Sequence, residues 1–190
     1  TSDVTISAVY TTDSDPETNG VFVQVEGLVV MEAENAHRRT AGTLVGDTWQ
    51  DANDIIDFVG EGFVVVLDND TTNHKDATTG ARLEFDVEFT TSGTHYIWVR
   101  MYGATSGDDS LHVGLNDLTP VLGLSDGASA NWTWVQAQIN VPNTGSHILK
   151  VWQREDGVRL DRLLVTDDSL YTPSAGGPFE SSLSYIITFD

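Results

Sequence analysis

Along residues 81–89 apolar and charged side chains alternate without a break. Ala81, Leu83, Phe85, Val87 and Phe89 fall on one side, and Arg82, Glu84, Asp86 and Glu88 on the other. A period of two sustained over this length predicts an antiparallel strand with one face in the core and one in water. After a Ser92-Gly93 turn the pattern resumes over 94–102, where Ile97, Val99 and Met101 oppose Tyr96, Trp98, Arg100 and Tyr102. Shorter apolar runs predict strands at 4–10, 21–25, 28–33, 63–67, 110–115, 132–141, 147–153 and 158–166, punctuated by Gly, Asn, Asp and Ser clusters. Only 50–58 suggests a helical turn. Many short strands at regular spacing, without an internal repeat, predict an all-β fold: a jelly-roll β-sandwich of antiparallel strands.

Strand parity predicts which loops meet. If successive strands run antiparallel, the turns at 92–93 and 142–146 share one end of the sandwich. The loops at 103–109, 125–131 and 154–157 then share the other. That second end collects Tyr102, Asp108, Asp109, Trp132, Arg154, Asp156 and Arg159, so functional loops are expected there. The sandwich is placed at 27–168. Residues 1–26 read as an N-terminal extension of added strands, and 169–190 as a C-terminal linker or edge strand.

Composition narrows the function. A chain of 190 residues with 39% apolar content can bury a core, and its length suits one domain. With 29 acidic residues against nine Lys and Arg the net charge is −20, a field that repels phosphate backbones and anionic lipid. Nucleic-acid and membrane partners are therefore not expected, and no apolar run reaches the ~20 residues of a membrane helix. The chain has no Cys, which removes disulfides, thiolate metal sites and cysteine nucleophiles. It opens at Thr1 without a basic or apolar leader, so a signal peptide is expected to have been removed or the domain to have been cut from a longer protein.

Motifs for catalysis are missing from the sequence. It holds no H-E-x-x-H, G-x-S-x-G or P-loop pattern, and its five His are scattered. Carboxylate pairs arise by chance among so many acids, and dispersed cations make a poor cleft for a lyase. Three other features stand out. In Met31-Glu32-Ala33-Glu34-Asn35 two carboxylates share a strand face, which suits an oxygen-liganded cation such as calcium or, equally, a solvated edge. Asp161 lies inside an apolar strand, where an unpaired carboxylate costs several kcal/mol, so it needs a cation or an ion pair with Arg162 or Arg100. Trp49 sits in a polar stretch, and Trp132 and Trp134 share one side of a strand; exposed aromatic faces stack on sugar rings. Trp134 is expected to plug the core end, and Trp132 and Trp49 to be exposed. Asp68-Asn69-Asp70 reads as a turn or a second cation site.

These residues resemble a known pattern. Val30-Met31-Glu32-Ala33-Glu34 is similar to the opening strand of carbohydrate-binding modules of families 6 and 35, themselves similar to the C-terminal module of family 115 glycoside hydrolases. The resemblance continues through Gly93-Thr94-His95-Tyr96-Ile97-Trp98-Val99-Arg100, Asp109-Ser110-Leu111-His112-Val113-Gly114-Leu115 and Trp132-Thr133-Trp134. It ends in Gly145-Ser146-His147-Ile148-Leu149 and Asp156-Gly157-Val158-Arg159-Leu160-Asp161, spanning roughly 28–167. It implies a jelly roll without catalytic activity and a structural calcium at Glu32, Glu34 and Asp161. It also implies sugar binding by loop residues matching Trp49, Trp132 and Arg159, with Asp156 and Tyr102 beside them. Family 6 modules usually carry Asn at the position of Arg159; a guanidinium there can clamp a carboxylate, which brings acidic sugars into view.

The expectation is a non-catalytic module of a secreted, bacterial polysaccharide-degrading protein, appended to a glycoside hydrolase or polysaccharide lyase and binding a polysaccharide or oligosaccharide. The alternatives are a calcium-dependent adhesion or assembly module that binds protein, and a small β-sandwich lyase or hydrolase.

Overall fold

The computed structural model describes residues 20–67 and 73–184. The strand expected at 4–10, the Asp68-Asn69-Asp70 turn and a returning strand at 185–189 lie outside the described residues. In chain order the strands are β1 (Val21–Val23), β2 (Leu28–Glu32), β3 (Arg38–Thr40), β4 (Trp49–Ala52), β5 (Phe63–Val66), β6 (Arg82–Phe89) and β7 (Gly93–Tyr102). They continue as β8 (Ser110–Leu115), β9 (Val121–Ser125), β10 (Thr133–Val141), β11 (Gly145–Gln153), β12 (Arg159–Thr166) and β13 (Leu183–Ser184). One sheet runs β13-β1-β6-β11-β8-β9, with β3 also on β6; the other runs β10-β7-β12-β5-β4, with β2 also on β12. Among the described strands every pairing is antiparallel except β1 with β6.

The alternation in 81–89 and 94–102 becomes the core. Leu83, Phe85, Val87 and Phe89 from the first sheet meet Ile97, Val99 and Met101 from the second, all buried. Each such side chain contributes about 1.5–3 kcal/mol by leaving water. The helical turn suggested for 50–58 does not form. Trp49–Ala52 is an edge strand on β5, because Trp49 enters the core instead of a helix face.

Register confirms the expected ends. Gly93 pairs with Val141 and Met101 with Thr133, so the 92–93 and 142–144 turns lie together. At the other end Gly103 donates its amide to Asp126 Oδ2 (2.8 Å) and accepts from the Ala130 amide, which knits the 103–109 and 126–132 loops.

Two features place charge in the second sheet. A register shift between Leu160 and Arg162 puts a bulge at Asp161, and such a bulge re-aims a side chain. Beyond it Arg162 lies between Glu32 on β2 and Arg100 on β7. The same sheet is flanked by residues 175–182, part of the stretch expected as a linker or edge strand. Trp134 Nε1 donates to Ala175 O, the Val30 amide to Ser181 Oγ and the Glu32 amide to Glu180 Oε1. Leu183 and Ser184 then pair with β1. Gly, Pro and Ser give this stretch a linker's composition, yet its backbone groups have partners in the sandwich.

Candidate functional site

The loop end of the second sheet gathers three of the expected sugar-contacting residues. Arg159 and Tyr102 are register partners on β12 and β7, and the Arg159 guanidinium lies over the Tyr102 ring, 5.4 Å from its centroid. Trp132 stands edge-on to Tyr102 at 5.6 Å and to Phe63 at 5.2 Å. Its Nε1 donates to Ile56 O, and Arg100 lies over its ring at 5.4 Å. Trp132 is thus half-buried, with one face already covered.

Arg159 borders a cleft of about 310 Å³ with Asn53, Asp54, Leu67 and Gly157. A second cleft of about 400 Å³ shares Asn53 with it and is lined by Glu34, Asp51 and Glu61. Arg159 NH1 donates to Gly157 O, and Arg159 is one of the residues lining the cleft. One wall comes from residues 53–61, which sequence reading had not marked. Its signal is slight: Asn53, Asp54 and Asp57 are ordinary turn residues. Among them Asp57 takes a positive φ of 69°.

Two expected sugar contacts fall elsewhere. Trp49 is 2% exposed and donates Nε1 to Ala81 O at 3.0 Å, so it is a core side chain and not a platform. Of the polar neighbours that suggested a loop, Gln50 and Asp51 belong to an edge strand whose first residue, Trp49, turns inward, while Gly46, Asp47 and Thr48 precede it. Asp156 is 4% exposed, because the turn folds back until the Gly157 amide reaches Val66 O. It does not face the cleft. Trp134, expected at the core end, is half-buried beneath the C-terminal segment, against Gly177.

The three acids of the expected calcium site do approach one another. A β-carbon on Gly60 would meet Glu32 and Glu34 together at 3.0 Å. Asp161 is wholly buried, and its carboxyl is held above the usual range by burial, against the opposing pull of Arg100. Burial, with the Glu32 charge adding to it, pushes Glu34 up to about 7. Yet the oxygens are taken. Asp161 Oδ2 accepts from Arg100 NH1 at 2.5 Å and Oδ1 from the Val59 amide at 3.0 Å. Arg162 grips both oxygens of Glu32, Nε reaching Oε2 at 3.0 Å and NH2 reaching Oε1. Glu34 Oε1 accepts from the Glu61 and Gly62 amides, while its Oε2 is buried without a partner. One orphaned oxygen falls well short of the 6–8 ligands calcium takes. Among the described residues no group of three or more His, Asp or Glu is placed to hold a metal ion. The residues present do not fit the calcium that the resemblance implied.

The two sheets form a jelly-roll β-sandwich of the kind seen in carbohydrate-binding modules. Residues 21–123 match the glycosyl hydrolase family 115 C-terminal domain, and the chain belongs to that family. It is 27% identical over 201 residues to the uncharacterized protein P23 of Formosa agariphila, covering 84% of this chain and 48% of P23. The chain thus spans about half the length of that curated relative. Among solved structures, the C-terminal family 6 module of the laminarinase LamC from Zobellia galactanivorans superposes with a TM-score of 0.56. It is 20% identical, over 74% of this chain and 99% of that one. Xyl-CBM35, solved with a glucuronic-acid-containing disaccharide, gives 0.52 at 17% identity, over 74% and 94%. These two likenesses establish the fold.

Proposed function

We propose that this module binds polysaccharide at the cleft beside Arg159, and that the sugar it prefers carries a carboxylate or similar anion. The observation that carries this reading is Arg159 laid over Tyr102 at the cleft rim. Arginine presents its donors in a planar fork that matches a carboxylate bidentately. The parts of Tyr102 and Trp132 that Arg159 and Arg100 leave uncovered stand beside this cleft and offer apolar surface to a pyranose C–H face. Asn53 and Asp54 stand where they can read hydroxyls. The net charge of −20 does not veto an anionic ligand, since fields from exposed charges fade over about 8 Å at physiological salt. The glucuronic-acid-containing disaccharide bound by Xyl-CBM35 points to the same sugar class.

Affinity should lie between about micromolar and millimolar, because one cleft and one or two rings bury little area. We read the module as an appendage that raises the local concentration of a secreted bacterial polysaccharide-degrading enzyme on its substrate. The family name and the greater length of P23 support that context. The test is a glycan panel of neutral and uronic-acid polysaccharides, with reducing ends assayed alongside. Retention on acidic chains without new reducing ends supports the reading. New reducing ends, or no retention on any glycan, count against it.

A further inference from the structure

We propose that Arg162 and Arg100 complete the acidic brace of this sandwich in place of a divalent metal ion, and that Arg100 thereby positions the loop of residues 53–61. The two arginines are register partners on adjacent strands. Like charges directly opposed in a sheet repel, so each needs an anion. Glu32 flanks Arg162 from β2, and Asp161, thrown out of register by the bulge, meets Arg100. The row across β2, β12 and β7 therefore reads Glu32, Arg162, Arg100; Asp161, one residue before Arg162 on β12, is turned by the bulge onto Arg100.

The guanidinium groups already hold oxygens of Glu32 and Asp161 that a metal would draw on, and Arg162 lines the cleft of about 540 Å³ beside Glu32 and Glu34. Arg162 spends Nε and NH2 on Glu32 and its NH1 on the carbonyls of Gly176 and Pro178. Arg100 spends NH1 on Asp161 and NH2 on Asp57 O, 2.9 Å away. An incoming divalent cation would have to expel buried guanidinium groups or sit against them. Breaking a buried pair by removing one partner is strongly unfavourable because it strands the other charge.

The brace also reaches the sugar cleft. Residues 53–61 are hung from it by Asp57 O on Arg100, by the Val59 amide on Asp161 and by the Glu61 amide on Glu34 Oε1. Ile56 O accepts from Trp132, and Arg100 covers that ring. Arg162 joins the opening strand to the C-terminal segment that completes the domain. Each arginine thus replaces one cross-link that an ion at this point would provide.

The test is thermal melting of the whole chain, with bound metal measured on the same sample. A calcium ion at a hundredfold its Kd would raise Tm by about 5–10 °C. The expected result is a Tm that is the same in chelator and in calcium, with less than stoichiometric metal in the purified protein. Arg162→Met should lower Tm by several degrees, and Glu32→Gln added to it should recover part of the loss. A wild-type Tm that falls on chelation, or stoichiometric tightly bound calcium, would overturn the proposal. So would an Arg162→Met protein that melts like the wild type. If Arg162→Met does not fold, the wild-type comparison decides alone. No glycan enters these melts, so their outcome is separate from the fate of the sugar-binding reading.

Discussion

Arg159 and Tyr102 face each other across β12 and β7, and the guanidinium covers the phenol ring at 5.4 Å. The contact holds the guanidinium in place on a residue that lines the cleft. Arg159→Ala is expected to weaken binding of a carboxylated oligosaccharide roughly ten- to a hundredfold, since hydrogen bonds to charged groups contribute about 1.5–3 kcal/mol. Arg159→Lys should recover only part, because a point charge lacks the fork. Calorimetric titration of both variants checks this, and an unchanged Kd for Arg159→Ala would remove Arg159 from the site.

Trp49 separates stability from binding. Buried at 2% exposure and hydrogen-bonded to Ala81 O, it is expected to cost about 3–5 kcal/mol when cut to Ala, with Trp49→Phe costing about 1 kcal/mol for the lost donor. Denaturant unfolding measures both. Trp49→Phe should bind sugar as the wild type does; a selective loss of binding would return Trp49 to the sugar site.

Glu34 predicts a pH dependence. Burial disfavours its charge and pushes its folded carboxyl up to about 7 from the ordinary 4.5. Below pH 4.5 both states hold the proton and Glu34 contributes no pH dependence. Between 4.5 and 7 the folded chain holds more protons than the unfolded chain, so stability falls as pH rises, and the penalty is constant above 7. For a half-exposed group the penalty is about 1–2 kcal/mol. Glu34→Gln is expected to stabilise the protein at pH 8 and to be close to neutral at pH 4.5, as urea midpoints at the two pH values will show. A variant equally stable relative to wild type at both would contradict the assignment.

Removing residues 175–190 should destabilise the sandwich by at least about 2 kcal/mol. Arg162 would lose the Gly176 and Pro178 carbonyls, and Trp134 would lose Ala175. A truncated chain that unfolds at the wild-type denaturant midpoint would make these residues a linker after all.

Much of the fold was legible because strand alternation reports burial directly. Leu83 to Phe89 and Ile97 to Met101 face the core as their period requires, and strand parity placed Tyr102, Trp132 and Arg159 at one end. Short strands escaped, because β3 and β4 carry too few apolar residues to show a period, and in β9 Val121, Leu122 and Leu124 follow no period of two. The burial of Trp49 is not legible for that reason: one apolar residue among Gly46, Asp47, Thr48 and Gln50 looks like a loop. At the acidic brace, Asp161's need for a partner was readable, and both arginines were candidates. Which one it takes depends on the bulge at 161, and that Arg162 goes instead to Glu32 depends on β2 lying beside β12. Neither is written in local sequence. The C-terminal segment reads in sequence as a linker or an edge strand, and its composition does not reveal that Gly176 and Pro178 bond Arg162 through their carbonyls.

The most direct test of the central claim is calorimetric titration of the wild-type protein and Arg159→Ala with a uronic-acid-bearing oligosaccharide and its neutral counterpart of equal length. The account predicts that the wild type binds the acidic ligand more tightly, with a Kd between about micromolar and millimolar, and that Arg159→Ala erases the preference. Equal affinity of the wild type for both ligands, or a preference that survives in Arg159→Ala, would contradict it.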